Sequence, residues 1–221
     1  GVGKVDVDEL EESRAASQRL ADAMRRIIAR LVVVRPPAEQ LDRAAEAANQ
    51  FADTLEHLPE RSKSWEISEA GLQPRDFVNH SPLSGLANPI APPVNMTIVD
   101  DGNGEHHMEG SVVFGPAYEG PPGHCHGGFI AAMFDELLGF VQLAPGFTAY
   151  LHVEYRRPTP LNKELQLRGW IESVEGRKRM IRGTCHLDGV LLTEAHGLFI
   201  APREGKDYLG LFGEPAGGTT G

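Results

Sequence analysis

The chain has 221 residues, 41% hydrophobic and 24% charged, with a net charge of −10 and only two cysteines. This composition fits a globular chain and excludes a disulfide scaffold, for which two cysteines are too few. Non-specific nucleic-acid binding needs a basic face, which a charge of −10 argues against, and no run approaches the roughly 20 apolar residues of a membrane span.

The opening GVGKVDVDEL has no basic-then-apolar segment, so no export signal is expected and the cytoplasm is the default location. Residues 8–34 read as an amphipathic helix: Asp8 is a candidate N-cap, and Leu20, Met24, Ile27, Ile28 and Leu31 recur at three- and four-residue spacings. Arg35-Pro36-Pro37 stops it. A second helix over 37–58 carries Leu41, Ala45, Ala48, Phe51, Ala52 and Leu55 on one stripe and ends near Pro59. The pair is expected to form a helical hairpin, an N-terminal extension over 1–60 used for packing or dimerisation. Residues 61–93, broken by Pro74, Pro82, Pro89, Pro92 and Pro93, read as an irregular connector.

From Val94 the pattern turns to strands. Residues 95–100 and 105–114 flank Asp101-Gly102-Asn103-Gly104, which has hairpin-turn chemistry. A loop over 119–123 leads to a helix from Gly127 to about Leu143, ended by Pro145-Gly146. Residues 147–156 then alternate, with Phe147, Ala149, Leu151, Val153 and Tyr155 on one face and Thr148, Tyr150, His152 and Glu154 on the other. Strands over 163–174, 177–187 and 190–201 follow, with turns at Glu175-Gly176 and Asp188-Gly189, and 203–221 reads as a loose tail. The fold class is therefore α+β: an antiparallel sheet wrapped around one central helix, occupying 94–202.

That helix is apolar nearly all round, from Phe129 to Val141, except at Asp135 and Glu136. A carboxylate buried there costs several kcal/mol unless hydrogen-bonded or paired, so it calls for a reason. One of the two carboxylates could simply reach solvent or cap a strand. At the start of the helix stands His126-Gly127-Gly128. The first amides of a helix lack internal acceptors and carry the positive end of the dipole, and glycines let a ligand approach them. A thioester carbonyl placed there would have its oxyanion stabilised. Gly127 and Asp135 are eight residues apart, roughly 12 Å along a helix, too far to serve one carbonyl carbon. Either the helix is not part of a site, or a second chain related by a two-fold axis completes it.

The strings YEGPPGHCHGGFIAAMFDELLG, TAYLHVEYRRPTPL and VEGRKRMIRGTCHLDGVLLTEAHGLFI resemble the hot-dog-fold acyl-CoA thioesterases, over about residues 94–201. The likeness is to the phenylacetate-degradation-type and mitochondrial long-chain branches. It implies a hot-dog fold and a homodimer or dimer of dimers with sites at the dimer interface. It also implies hydrolysis of acyl-CoA without a cofactor. Asp135 matches the general base or nucleophile, and Gly127 the residue whose amide meets the thioester oxygen. Thr148 matches a hydroxyl residue that positions the water or carboxylate, and His126 the motif histidine shaping the loop. Some relatives carry an asparagine before the His-Gly-Gly as a second donor. Here that region is Gly120-Pro121-Pro122-Gly123, and His124 or His126 is the candidate substitute.

Between Glu154 and Arg182 there are eight Lys or Arg against four carboxylates, and Arg156, Arg157, Arg177 and Lys178, with Gly128 at the helix start, are candidates for holding the substrate and its phosphates. No metal is expected: His106, His107, His124, Cys125 and His126 are close in sequence, but adjacent ligands cannot all turn to one ion and no CxxC or HExxH occurs. Two other functions fit the same features. One is a non-catalytic acyl-CoA binding protein; the other is a hot-dog hydratase or dehydratase, which pairs a carboxylate with a histidine on the helix, whereas here the histidine precedes it.

Overall fold

The computed structural model describes residues 7–59, 79–143 and 146–203. The side chain of Asp8, most of the connector through 78, Pro145 and all but the first residue of the tail lie outside the described residues. Two compact units divide at Ala91/Pro92.

In the first unit, helix α1 spans Val7–Leu31 and α2 spans Ala38–Glu56. The first stops short of the expected Val34, because three consecutive β-branched valines and a following proline disfavour helix. Arg25 of α1 donates to the carbonyls of Gly85, Leu86, Asn88 and Ala91 at 2.8–3.0 Å, which ties the otherwise irregular 85–91 segment to the helix. No residue of α2 is buried, and Leu41, Phe51 and Leu55 are each 40% exposed.

The second unit is a six-stranded antiparallel sheet around one helix. Its strands are β1 Val94–Asp100, β2 His106–Val113, β3 Phe147–Tyr155, β4 Glu164–Glu175, β5 Lys178–Leu187 and β6 Val190–Ile200. They are ordered β1-β2-β4-β5-β6-β3, which leaves β1 and β3 at the edges. Asp188 and Gly189 both take positive φ, 49° and 79°, the type I′ geometry that their sequence announces.

Helix α3, Gly127–Val141, packs on β2 through β6 with Ile130, Met133, Phe134, Leu137, Leu138 and Val141 buried. It ends two residues before the expected Leu143, which adopts a left-handed φ of 51°. Facing it, Gly169 and Gly183 pair across β4 and β5 and form a trough. A Cβ on Gly183 would lie 2.9 Å from Leu138, and one on Gly169 2.8 Å from Val141, so these glycines set how closely the helix approaches. Each fully buried Phe or Leu of this layer contributes about 1.5–3 kcal/mol.

The regular alternation read for β3 does not hold at its start. A bulge between Thr148 and Tyr150 shifts the register, so Thr148 stands opposite Phe199 and Tyr150 opposite Leu198. Phe199 is buried on the helix side. Thr148 therefore turns toward α3 rather than sharing the outer face with Tyr150, His152 and Glu154.

Two histidines at the first hairpin are structural. His106 Nε2 donates to Val141 O at 2.7 Å and caps the end of α3. His107 is buried and contacts Asp101 through Nδ1 at 2.8 Å and Glu109 through Nε2 at 3.2 Å. Both partners are acceptors, so the doubly protonated ring is the form that satisfies both contacts. The hydrogen bond to Asp101, then that to Glu109, raises the His107 pKa above its ordinary 6.5, against burial and the opposing Arg168. A raised folded-state pKa stabilises fully below about pH 6.5, and the contribution fades as pH rises through the folded value. Thermal melts are expected to show a loss of stability as pH rises above about 6.5 that His107→Asn flattens; an unchanged pH profile in that variant would refute the assignment.

Candidate active site

The loop before α3 is built to present the helix start. Gly120 N donates to His124 O at 2.9 Å, Gly123 N to Glu119 Oε1 at 2.6 Å, and His126 N to Tyr118 O at 2.8 Å. Cys125 N is tied to Thr159 O at 2.8 Å. His126 is then the N-cap of α3, with extended φ and ψ of −63° and 130°. Its Nδ1 accepts from Gly128 N at 3.0 Å, which places the ring proton on Nε2.

Two glycines make room for this ring. A Cβ on Gly120 would lie 2.7 Å from His126 Cα, and one on Gly128 3.1 Å from His126 Nδ1. The second glycine of the motif is thus a seat for the histidine, and its amide is already used. Gly127 differs: its N–H has no acceptor among the described residues. Gly127 therefore offers the open donor, and the Nε2–H of His126 stands at the same helix end. His124, the other candidate for a second donor, turns its Nδ1 to Pro122 O at 2.9 Å.

Two turns further along α3, half-buried Asp135 accepts a hydrogen bond at Oδ1 from Thr148 Oγ1 at 2.8 Å. The bulge in β3 makes this contact possible. Glu136, its neighbour, is also half-buried. Asp135 and Gly127 lie on one helix, so the spacing of about 12 Å stands.

The predicted cations separate into two pairs. Arg156 and Arg157 follow Tyr155, which stands opposite Thr193 of β6, whereas Lys178 stands opposite Ile200 and Arg177 bonds Ala201 O at 3.0 Å. Seven residues of β6 separate these ends, about 23 Å at about 3.3 Å per residue. One pair is on the Gly127 side of the sheet and the other on the side of Thr148 and Asp135. Arg156 is bound to Glu154 and to Glu194, the latter at 2.7 Å, and the Glu194 hydrogen bond leads the causes that raise its pKa. Its charge is thereby largely spoken for, while Arg157 and Lys178 have no ion pair among the described residues.

Cys125 is unsuited to nucleophilic work. Burial, then the nearby Cys185, pushes its thiol pKa up to about 12, so it stays protonated. Among the described residues no group of three or more His, Cys, Asp or Glu is placed to hold a metal ion. No helix among them is long and apolar enough to cross a membrane.

A crystal structure of a thioesterase superfamily protein superposes on this chain with a TM-score of 0.71 and 35% identity, covering 83% of this chain and 90% of the other. The chain belongs to the thioesterase superfamily. The thioesterase superfamily model itself matches residues 122–186, the stretch that holds His126, Gly127, Asp135 and Thr148. The sheet wrapped around α3 is thus the hot-dog fold of these thioesterases. Acyl-coenzyme A thioesterase THEM4 of Xenopus laevis is 44% identical over 93 residues, 39% of this chain and 41% of that protein. The bovine THEM4 is 37% identical over 90 residues, 39% of this chain and 37% of that protein. The match spans about two fifths of the length of these curated relatives.

Proposed function

We propose that this chain hydrolyses acyl-CoA thioesters to a free acid and coenzyme A, in a site assembled from two copies. The observation that carries the reading is the pairing of a Thr148-held Asp135 with an open Gly127 amide on one helix, too far apart to act on one carbonyl. A two-fold axis that sets two α3 helices antiparallel would bring the Gly127 of one copy to the Asp135 of the other. Edge strand β3 offers the surface for this: among the described residues its one strand neighbour is β6, and Phe147, Tyr150 and Tyr155 are 39–52% exposed. The same rotation would bring the two separated cation pairs to one site, where Arg157 and Lys178 are the freer phosphate ligands. The sequence identity to acyl-coenzyme A thioesterases supports the substrate class.

In the reaction, the thioester oxygen lies at the Gly127 N–H, and Asp135 of the partner removes a proton as water adds to the carbonyl carbon. The tetrahedral oxyanion collapses, the C–S bond breaks, and the thiolate leaves with its electron pair. The proton on Asp135 then returns to the thiolate. The competing route, attack by Asp135 itself to give a mixed anhydride, uses the same groups.

The test is a panel of acyl-CoA thioesters of differing chain length and aromaticity, assayed for free thiol. Thiol release supports hydrolysis; calorimetric binding without release would replace it with a binding role. Thr148 acts by orienting Asp135. Thr148→Ala is expected to lower kcat about ten- to a hundredfold, the value of a hydrogen bond to a charged group, with Thr148→Ser restoring most of it. Equal kcat in the Ala variant would remove Thr148 from the site.

A further inference from the structure

Helix α3 begins with two glycines, the weakest helix formers after proline, at the point where the proposed site needs a fixed backbone. Left to itself such a turn would fray. Two side chains from outside the helix hold it. The peptide unit joining Gly127 to Gly128 is gripped at both ends: its N–H donates to His126 Nδ1 at 3.0 Å, and its C=O accepts from Tyr155 Oη at 2.8 Å. The preceding peptide is fixed through its own carbonyl, since His126 O accepts from Phe129 N at 3.0 Å and from Ile130 N at 3.4 Å. Gly127 therefore has a secured peptide on each side, and its free N–H has one direction in which to point.

We infer that Tyr155 is a positioning residue for the oxyanion-binding turn, holding the Gly127–Gly128 peptide through its hydroxyl. This rests on the hydrolytic reading above, in which Gly127 N–H meets the thioester oxygen. Tyr155 is the last residue of β3, and its backbone is fixed in register opposite Thr193. The ring lies along the turn, with Cε1, Cζ and Oη each 3.4 Å from where a Gly127 Cβ would be. Strand β3 carries Thr148 at one end and Tyr155 at the other. One strand thus orients both halves of the proposed chemistry: the carboxylate through Thr148 and the amide donor through Tyr155. Burial, then Cys125, raises the phenol pKa, which keeps Oη a donor across the working pH range. The contact is invisible as periodicity, because Tyr155 follows Leu151 and Val153 on the helix-facing side and reads as core packing.

The test is Tyr155→Phe, which keeps the ring and removes only the hydroxyl; the side chain is half exposed, so the change strands no deeply buried group. On an acyl-CoA thioester, kcat is expected to fall about tenfold, about 1.4 kcal/mol of barrier, with KM within about twofold and the melting temperature unchanged. In the free protein, amide exchange at Gly128, followed by NMR, is expected to accelerate in the variant. A kcat equal to wild type, or a Gly128 exchange rate that does not move, overturns the inference. If wild type releases no thiol from any acyl-CoA, the hydrolytic reading fails instead, and the exchange measurement still decides whether Tyr155 secures the turn.

Discussion

Asp135→Asn is expected to lower kcat for acyl-CoA hydrolysis by about 10²–10⁴, the range ascribed to positioned general bases, while the protein stays folded. Asparagine has nearly the shape of aspartate, and its Oδ1 can still accept from Thr148 Oγ1, so the 2.8 Å contact survives. Only the basicity and charge are lost. The substitution also removes one of the two carboxylates, Asp135 and Glu136, that interrupt an apolar helix, so the melting temperature should hold or rise. Loss of activity with retained stability would separate chemistry from folding; a variant that hydrolyses as fast as wild type would end the case for Asp135. A single turnover in ¹⁸O-water adds the route, since label recovered in Asp135 would identify the anhydride.

The parts of this molecule governed by local rules were legible in the sequence. The turn at Asp188-Gly189, the apolar helix with its interrupting carboxylates and the succession of strands along the chain follow from backbone preferences and periodicity, which act over a few residues. What was not legible depends on partners far away along the chain. Arg25 saturates four carbonyls some 60 residues distant, and nothing around it in the sequence marks it. The bulge at Thr148 and Tyr150 reverses which face Thr148 occupies, although strict alternation assigns it to solvent with His152. Resemblance had linked Thr148 to the carboxylate, in conflict with that alternation; the register shift resolves the conflict. The same applies to Gly128. A glycine beside a helix start suggests ligand approach, but here it makes room for the His126 ring, which takes the Gly128 amide. The four basic residues also looked like one set by proximity in composition, whereas the antiparallel path of β6 puts them at opposite ends of the sheet.

The Gly127 amide can be tested by a substitution that removes only the donor. Gly127 is the first residue of α3, the position where proline is best tolerated, because its N–H has no helical acceptor to lose. The preceding His126 already has a ψ of 130°, in the extended region that a following proline demands. A Cβ at 127 would meet Tyr155 at 3.4 Å, an ordinary contact. Gly127→Pro should therefore fold, keep its helix and lose about 10²–10³ in kcat, the cost of one oxyanion donor. Gly127→Ala retains the N–H and should lose less; equal losses in the two would attribute the effect to the side chain and discard the donor. The proline variant also tests the two-copy site. If Gly127 of one copy serves Asp135 of the other, a mixed dimer of Gly127→Pro and Asp135→Asn chains has one site with both defects and one with neither. Random reassortment of equal amounts makes half the dimers mixed, so activity should return to about a quarter of wild type from two nearly inactive parents. A site contained within one chain gives no such recovery, since every site then keeps one defect.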